Sequence, residues 1–172
     1  MFDPTVYENL KVVLEGAVYD LDLAGMIHVS NRVDRIDLST MSRFYSIQFR
    51  EAESLASEGT AEICLSATMQ DLAAEIIDED STAAGCLLTI HFTRKMMDVE
   101  RECLKIQQIL GKIWEGRPEI SQEISFQYGV TPTLYTNRIT LNFGRTINET
   151  QIEDMPDLID HTFFSLQQLN QM

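Results

Sequence analysis

Residues 120–143 read ISQEISFQYGVTPTLYTNRITLNF, and the period of this stretch decides the fold. Ile120, Ile124, Phe126 and Tyr128 fall on one side of a two-residue alternation, with Ser121, Glu123, Ser125 and Gln127 on the other. Tyr135, Ile139, Leu141 and Phe143 form a second such side, opposed by Thr136, Arg138, Thr140 and Asn142. Two alternating runs with turn residues between them predict an antiparallel hairpin. Matching the apolar faces leaves a loop of about four residues around Thr131-Pro132, with Tyr128 opposite Tyr135 and Ile124 opposite Ile139. Strands covered on both faces by crossover helices read as continuous apolar runs, whereas these have one wet face. The hairpin therefore belongs to a largely antiparallel sheet with helices packed mainly on one face.

The segment before it predicts a long helix from about Arg94 to Ile113, ending near Gly116 with Pro118 beyond. Met96, Val99, Cys103, Ile106, Leu110 and Ile113 form one stripe at helical spacing, and Arg94, Arg101, Lys105 and Lys112 line the opposite side. The apolar spacing resembles a coiled-coil seam, but it spans fewer than the three or four heptads a stable coil needs. Met97, Leu104, Ile109 and Trp114 widen the stripe, which favours packing on the chain's own sheet.

Further out, Cys86, Leu88, Ile90 and Phe92 alternate in a strand, as do Ala61, Ile63 and Leu65, and Tyr45, Ile47 and Phe49. Residues 68–79 predict a helix, and DEDSTAAG at 78–85 is the best internal boundary. Near the N-terminus, Asp3-Pro4 is a helix-start signal, and Val6, Leu10, Val13 and Leu14 give a stripe that stops near Gly16. Ala17, Tyr19, Leu21 and Leu23 then alternate with Val18, Asp20 and Asp22, which predicts a strand. Ile27, Val29 and Val33 follow a break at Ala24-Gly25-Met26, so a first hairpin is expected, with a phase shift before Ile36. The last helix runs from about Thr150 to Leu169, with capping-box spacing at Thr150 and Glu153 and a kink or split at Pro156. The sum is one α+β domain over residues 1–172, with about seven strands and four helices. The order of elements leaves a diverged internal duplication open, although no residue-level repeat supports it.

The chain has 172 residues, with 44% hydrophobic and 23% charged, which is ordinary for a soluble globular protein. Its 27 Asp and Glu against 13 Lys and Arg give a formal net charge of -14. Such a surface repels polyanions, so neither nucleic acid nor an anionic membrane is an expected partner. No apolar run approaches the ~20 residues of a spanning helix, and the acidic start MFDPTVYENL is unlike a secretory signal. Cys64, Cys86 and Cys103 are odd in number and lie in apolar patterns, as buried free thiols of a cytoplasmic protein do.

Nothing rises to a catalytic signature. Asp78, Asp80 and Thr82 spell a D-x-D-x-T motif, but helical residues precede it where a phosphoryl-transfer site needs a buried parallel strand. As a calcium loop it fails at Ala83 and Thr89. His28, His91 and His161 make no zinc spacing, and no cofactor or metal is expected. In the first hairpin His28 faces Asp22, with Asp20 next along. The group is either a general base or an exposed cross-strand salt bridge. The polar side of the last hairpin, with Gln127, Thr136, Arg138 and Thr140, is a hydrogen-bonding surface for a ligand or partner, or simply a solvated face. The leading expectation is a non-catalytic protein acting by self-association or by binding an acidic protein, through Arg94, Arg101, Lys105 and Lys112. The alternative is a small-molecule binding protein or hydrolase with a polar pocket at Asp20, Asp22 and His28.

Overall fold

Helix α1 (Thr5–Leu23) opens the described chain. The computed structural model describes residues 5–53, 58–77 and 84–172. The Asp3-Pro4 signal and the D-x-D-x-T motif lie outside those residues, as does most of the proposed boundary at 78–85. The strand expected at 17–23 is the last turns of α1. Tyr7, Leu10, Leu14 and Val18 recur at helical spacing and are all buried, so the 3.6-residue stripe overrides the short alternation that follows it. Gly16 does not stop the helix, because it lies on the exposed side and a Cβ there would meet no atom within 4 Å. Gly25 does. Its φ of 73° is left-handed; its N–H donates to Asp22 O at 2.9 Å, and Met26 N–H donates to Leu21 O at 3.1 Å. That pair of bonds ends a helix around a glycine that needs no Cβ. There is consequently no first hairpin; the break at residues 24–26 joins a helix to a strand.

Six strands follow: β1 (Ile27–Asp37), β2 (Ser42–Glu51), β3 (Thr60–Ala67), β4 (Cys86–Met96), β5 (Glu119–Phe126) and β6 (Tyr135–Ile147). All neighbours are antiparallel, in the order β1-β2-β3-β4-β6-β5. The phase shift in β1 comes at Ser30, a bulge between Val29 and Asn31, and not before Ile36. Besides α1, the helices are α2 (Met69–Ile77), α3 (Val99–Ile113) and α4 (Met155–Asn170). The chain is therefore α+β as its alternation predicts, with one strand fewer and α1 longer.

Tyr45, Ile47 and Phe49, Ala61, Ile63 and Leu65, and Cys86, Leu88, Ile90 and Phe92 are all buried, on the alternating positions expected. They meet Leu10, Leu14, Ile106, Leu110, Ile159 and Leu166 from α1, α3 and α4 in one core. The opposite face of the sheet carries no helix among the described residues. Across it, cross-strand register aligns Asn31, Gln48, Glu62, His91, Thr140 and Ser121 in a polar row.

Two ends differ from the sequence expectation. Asn148 and Gln151, not Thr150 and Glu153, form the capping box, and they cap a 3-10 turn at Glu149–Asp154. Pro156 then sits in the first turn of α4, where its missing N–H costs nothing. In the last hairpin Phe126, not Tyr128, pairs with Tyr135, and Ile124 pairs with Asn137. The register has moved by two residues, which preserves the faces but lengthens the connection to Gln127–Leu134. Tyr128 is 94% exposed and Phe126 is 60% exposed, so neither ring is core.

Candidate functional site

The candidate surface lies at the edge of the sheet where α3 rides over β5 and β6. Asp98 starts α3, its carboxylate accepting from Arg101 N–H at 3.1 Å. Arg94 therefore precedes the helix and lies on β4, on the face turned to the helices. Its guanidinium donates to Leu169 O at 2.7 Å and pairs with Glu102 at 3.2 Å. A cation there satisfies the carbonyl end of α4 and opposes its dipole. Arg94 is a structural tie between β4, α3 and α4, and it leaves the proposed basic row. Arg101, Lys105 and Lys112 remain on exposed helix surface. Among the described residues no carboxylate lies within 4.0 Å of any of the three.

A short polar relay seats the helix. Gln122 of β5 donates to Cys103 O at 3.0 Å and accepts from Asn137 Nδ2 at 2.8 Å. It places the middle of α3 above the middle of β5. At the far end of α3, Trp114 is buried; it packs edge-on against Phe143 and tilts over His161, each at 5.6 Å between ring centres. Its indole N–H donates to Ser165 Oγ at 3.0 Å. These rings line a groove of about 650 Å³ whose rim includes Arg117, Arg145 and Asp157. At the other end of the same hairpin the tip exposes Phe126, Tyr128, Val130 and Leu134. Gly129 and Pro132 mark a turn in the sequence, so Val130 between them had no strand to belong to, whereas Phe126 and Tyr128 read as strand residues. The turn around Val130 was the signal for an exposed apolar tip. The Trp114 groove is assembled from α3, β6 and the start of α4, and no local pattern reveals it.

The polar sheet face is present, with Thr136, Arg138 and Thr140 on it and Gln127 beyond its end in the hairpin tip. Lys95 Nζ donates to Thr136 Oγ1 at 2.6 Å, and Arg138 lies 3.6 Å from Glu62. His91 sits at the centre, 2.9 Å from Thr140 Oγ1 through Nδ1. Burial lowers its pKa and Arg138 lowers it further, with Glu62 and Glu123 acting the other way. A neutral imidazole at neutral pH is the result. His91 and Arg94 point to opposite faces of β4 and share no site.

Asp20 and Asp22 lie on the last turns of α1, and His28 lies at the start of β1. His28 Nδ1 is 4.0 Å from Asp22 Oδ1, with the side chains 61% and 30% exposed. Asp20 is exposed on α1, and the Trp114 groove and the tip depression include none of the three. The pair spans the turn from α1 to β1 and not two strands. Among the described residues no group of three or more His, Cys, Asp or Glu is placed to hold a metal ion. All three cysteines are free, and burial pushes the Cys64 and Cys86 thiols up to about 12, which makes them poor nucleophiles. No described helix is long and apolar enough to cross a membrane. Comparison with protein families, curated proteins and solved structures finds no match to this chain.

Proposed function

We propose that the protein is a non-catalytic cytoplasmic module that works by associating with itself or with an acidic protein surface. The observation that carries this reading is the exposed row Arg101, Lys105 and Lys112 on α3, without a carboxylate partner among the described residues, in a chain of net charge -14. Three cations on one helix face repel each other by tenths of a kcal/mol per close pair. An acidic surface brought to them relieves that repulsion, and the rest of the chain supplies such surface in abundance. The exposed apolar tip of the β5–β6 hairpin supports the same reading, since exposed apolar groups mark interaction sites.

Size-exclusion light scattering tests it. The wild type is expected to exceed the monomer mass, and R101E/K105E to weaken the assembly, more at low salt than at high salt, where exposed charges are screened. A wild-type monomer at every concentration, together with no acidic protein retained from native cytoplasm, ends the proposal.

A further inference from the structure

We propose that the chain forms a two-fold dimer through the free edge of β5, the two strands running antiparallel with Gln122 on the axis. This deepens the self-association reading and rests on it.

The two edges of the sheet are defended differently. β1 carries a bulge and the charges Arg32, Asp34, Arg35 and Asp37, with α1 paired to it through Lys11–Asp34 and Glu15–Arg32. Bulges and mixed charges are what keep an edge from pairing. β5 pairs with β6 without interruption, and it holds no Lys, Arg or Pro. Its other side has no partner strand in the sheet.

Side-chain charge then selects the register. Opposed residues must share a face, so only centres on a single residue near the middle are allowed. Centring on Ser121 sets Glu119 opposite Glu123 twice. Centring on Glu123 sets that residue against its own copy. Centring on Gln122 opposes Glu123 to Ser121, Glu119 to Ser125 and Ile120 to Ile124. It is the one register of the three with no like charges opposed, and such pairs are the unit of sheet stability.

The same axis suits the helix above. Because Gln122 bonds Cys103 O and Gln107 Oε1, an axis beside Gln122 also passes beside that stretch of α3. The helix side turned to that edge carries Glu100, Leu104, Gln107 and Gly111, by their three- and four-residue spacing. Leu104 is 62% exposed, and a Cβ on Gly111 would meet nothing within 4 Å. An antiparallel crossing centred between Cys103 and Gln107, the two α3 residues that Gln122 touches, sets Leu104 beside the other copy's Gln107, and Glu100 beside its Gly111. Finally, Phe126 comes opposite Pro118, so each hairpin tip runs on alongside residues 114–117 of the other copy. Trp114, Glu115 and Arg117 line the groove, and the tip's Tyr128 and Val130 are the apolar groups that reach it.

The test is a charge series on exposed serines of the wet face. S121E/S125E places glutamate opposite Glu123 and Glu119 in both halves, and the dimer is expected to dissociate about tenfold more readily or worse. S121K/S125K places lysine at the same points, and the dimer is expected to hold as tightly or more so. Light scattering over a dilution series reads both, and far-ultraviolet circular dichroism confirms that both fold. A dimer weakened by R101E/K105E but untouched by the serine variants overturns this edge and leaves self-association standing. So does equal weakening by glutamate and lysine. A wild-type monomer overturns both.

Discussion

At the residue scale, position relative to the core separates side chains that look alike in sequence. Phe126 and Phe92 are both alternating aromatics in strands, yet Phe92 is buried and Phe126 is mostly in water. Phe92→Ala is expected to cost about 3–5 kcal/mol through lost burial and a cavity, while Phe126→Ala costs about 1 kcal/mol or less; urea midpoints at unchanged slope measure both. His91 gives a pH dependence of known sign. Its pKa in the folded chain lies below the ordinary 6.5, so the unfolded chain binds the proton more readily. Its contribution is intact above that ordinary value and is lost as pH falls through it toward the lower folded value. H91Q retains a partner for Thr140 and cannot protonate. Between about pH 7.5 and about pH 5, the variant should lose less stability than the wild type.

At the element scale, the readable parts were those where one period ran unopposed. Tyr45-Ile47-Phe49 and Ile90-Phe92 alternate without competition, and the structure buries them as expected. Residues 17–23 obey two periods at once. Val18 completes a helical stripe with Leu14, while Tyr19, Leu21 and Leu23 alternate. Packing on the sheet settled the matter for the helix, because four buried rungs outweigh alternation on a side that stays exposed at Leu23. Glycines carried the rest of the difference. Gly16→Ala removes backbone entropy from an exposed helix interior and is expected to stabilise by up to about 1 kcal/mol. Gly25→Ala puts a side chain into the left-handed stop of the same helix and is expected to destabilise by about 1–2 kcal/mol. Thermal melting of the two single variants should shift in opposite directions. The hairpin register was half legible. Face parity follows from the alternation, but the loop length does not, because Gly129 and Pro132 permit more than one turn.

At the scale of the whole molecule, charge is distributed unevenly. The bare sheet face is balanced, with Arg35, Arg50, Lys95 and Arg138 against Asp37, Glu62, Glu119 and Glu123. The acid excess lies elsewhere, and residues 149–160 alone carry Glu149, Glu153, Asp154, Asp157 and Asp160 with no base. A second copy approaching by the α3 and β5 edge brings its hairpin tip to the groove that Asp154 and Asp157 of that region line. If dimers form this way, melting temperature rises with protein concentration, as linkage to assembly requires, and the same S121E/S125E variant flattens that rise. The basic row was visible in the sequence. The free edge of β5 was not, because strand order is a property of the sheet and no strand announces that it is last.

The chain contains a single tryptophan, and the fold places it on the floor of the groove with its indole N–H held by Ser165. Ultraviolet emission excited on the red edge, where the five tyrosines do not absorb, thus comes from one known point. Any molecule entering that groove changes the polarity around one fluorophore, so occupancy can be followed by wavelength and intensity without a label or a mutation.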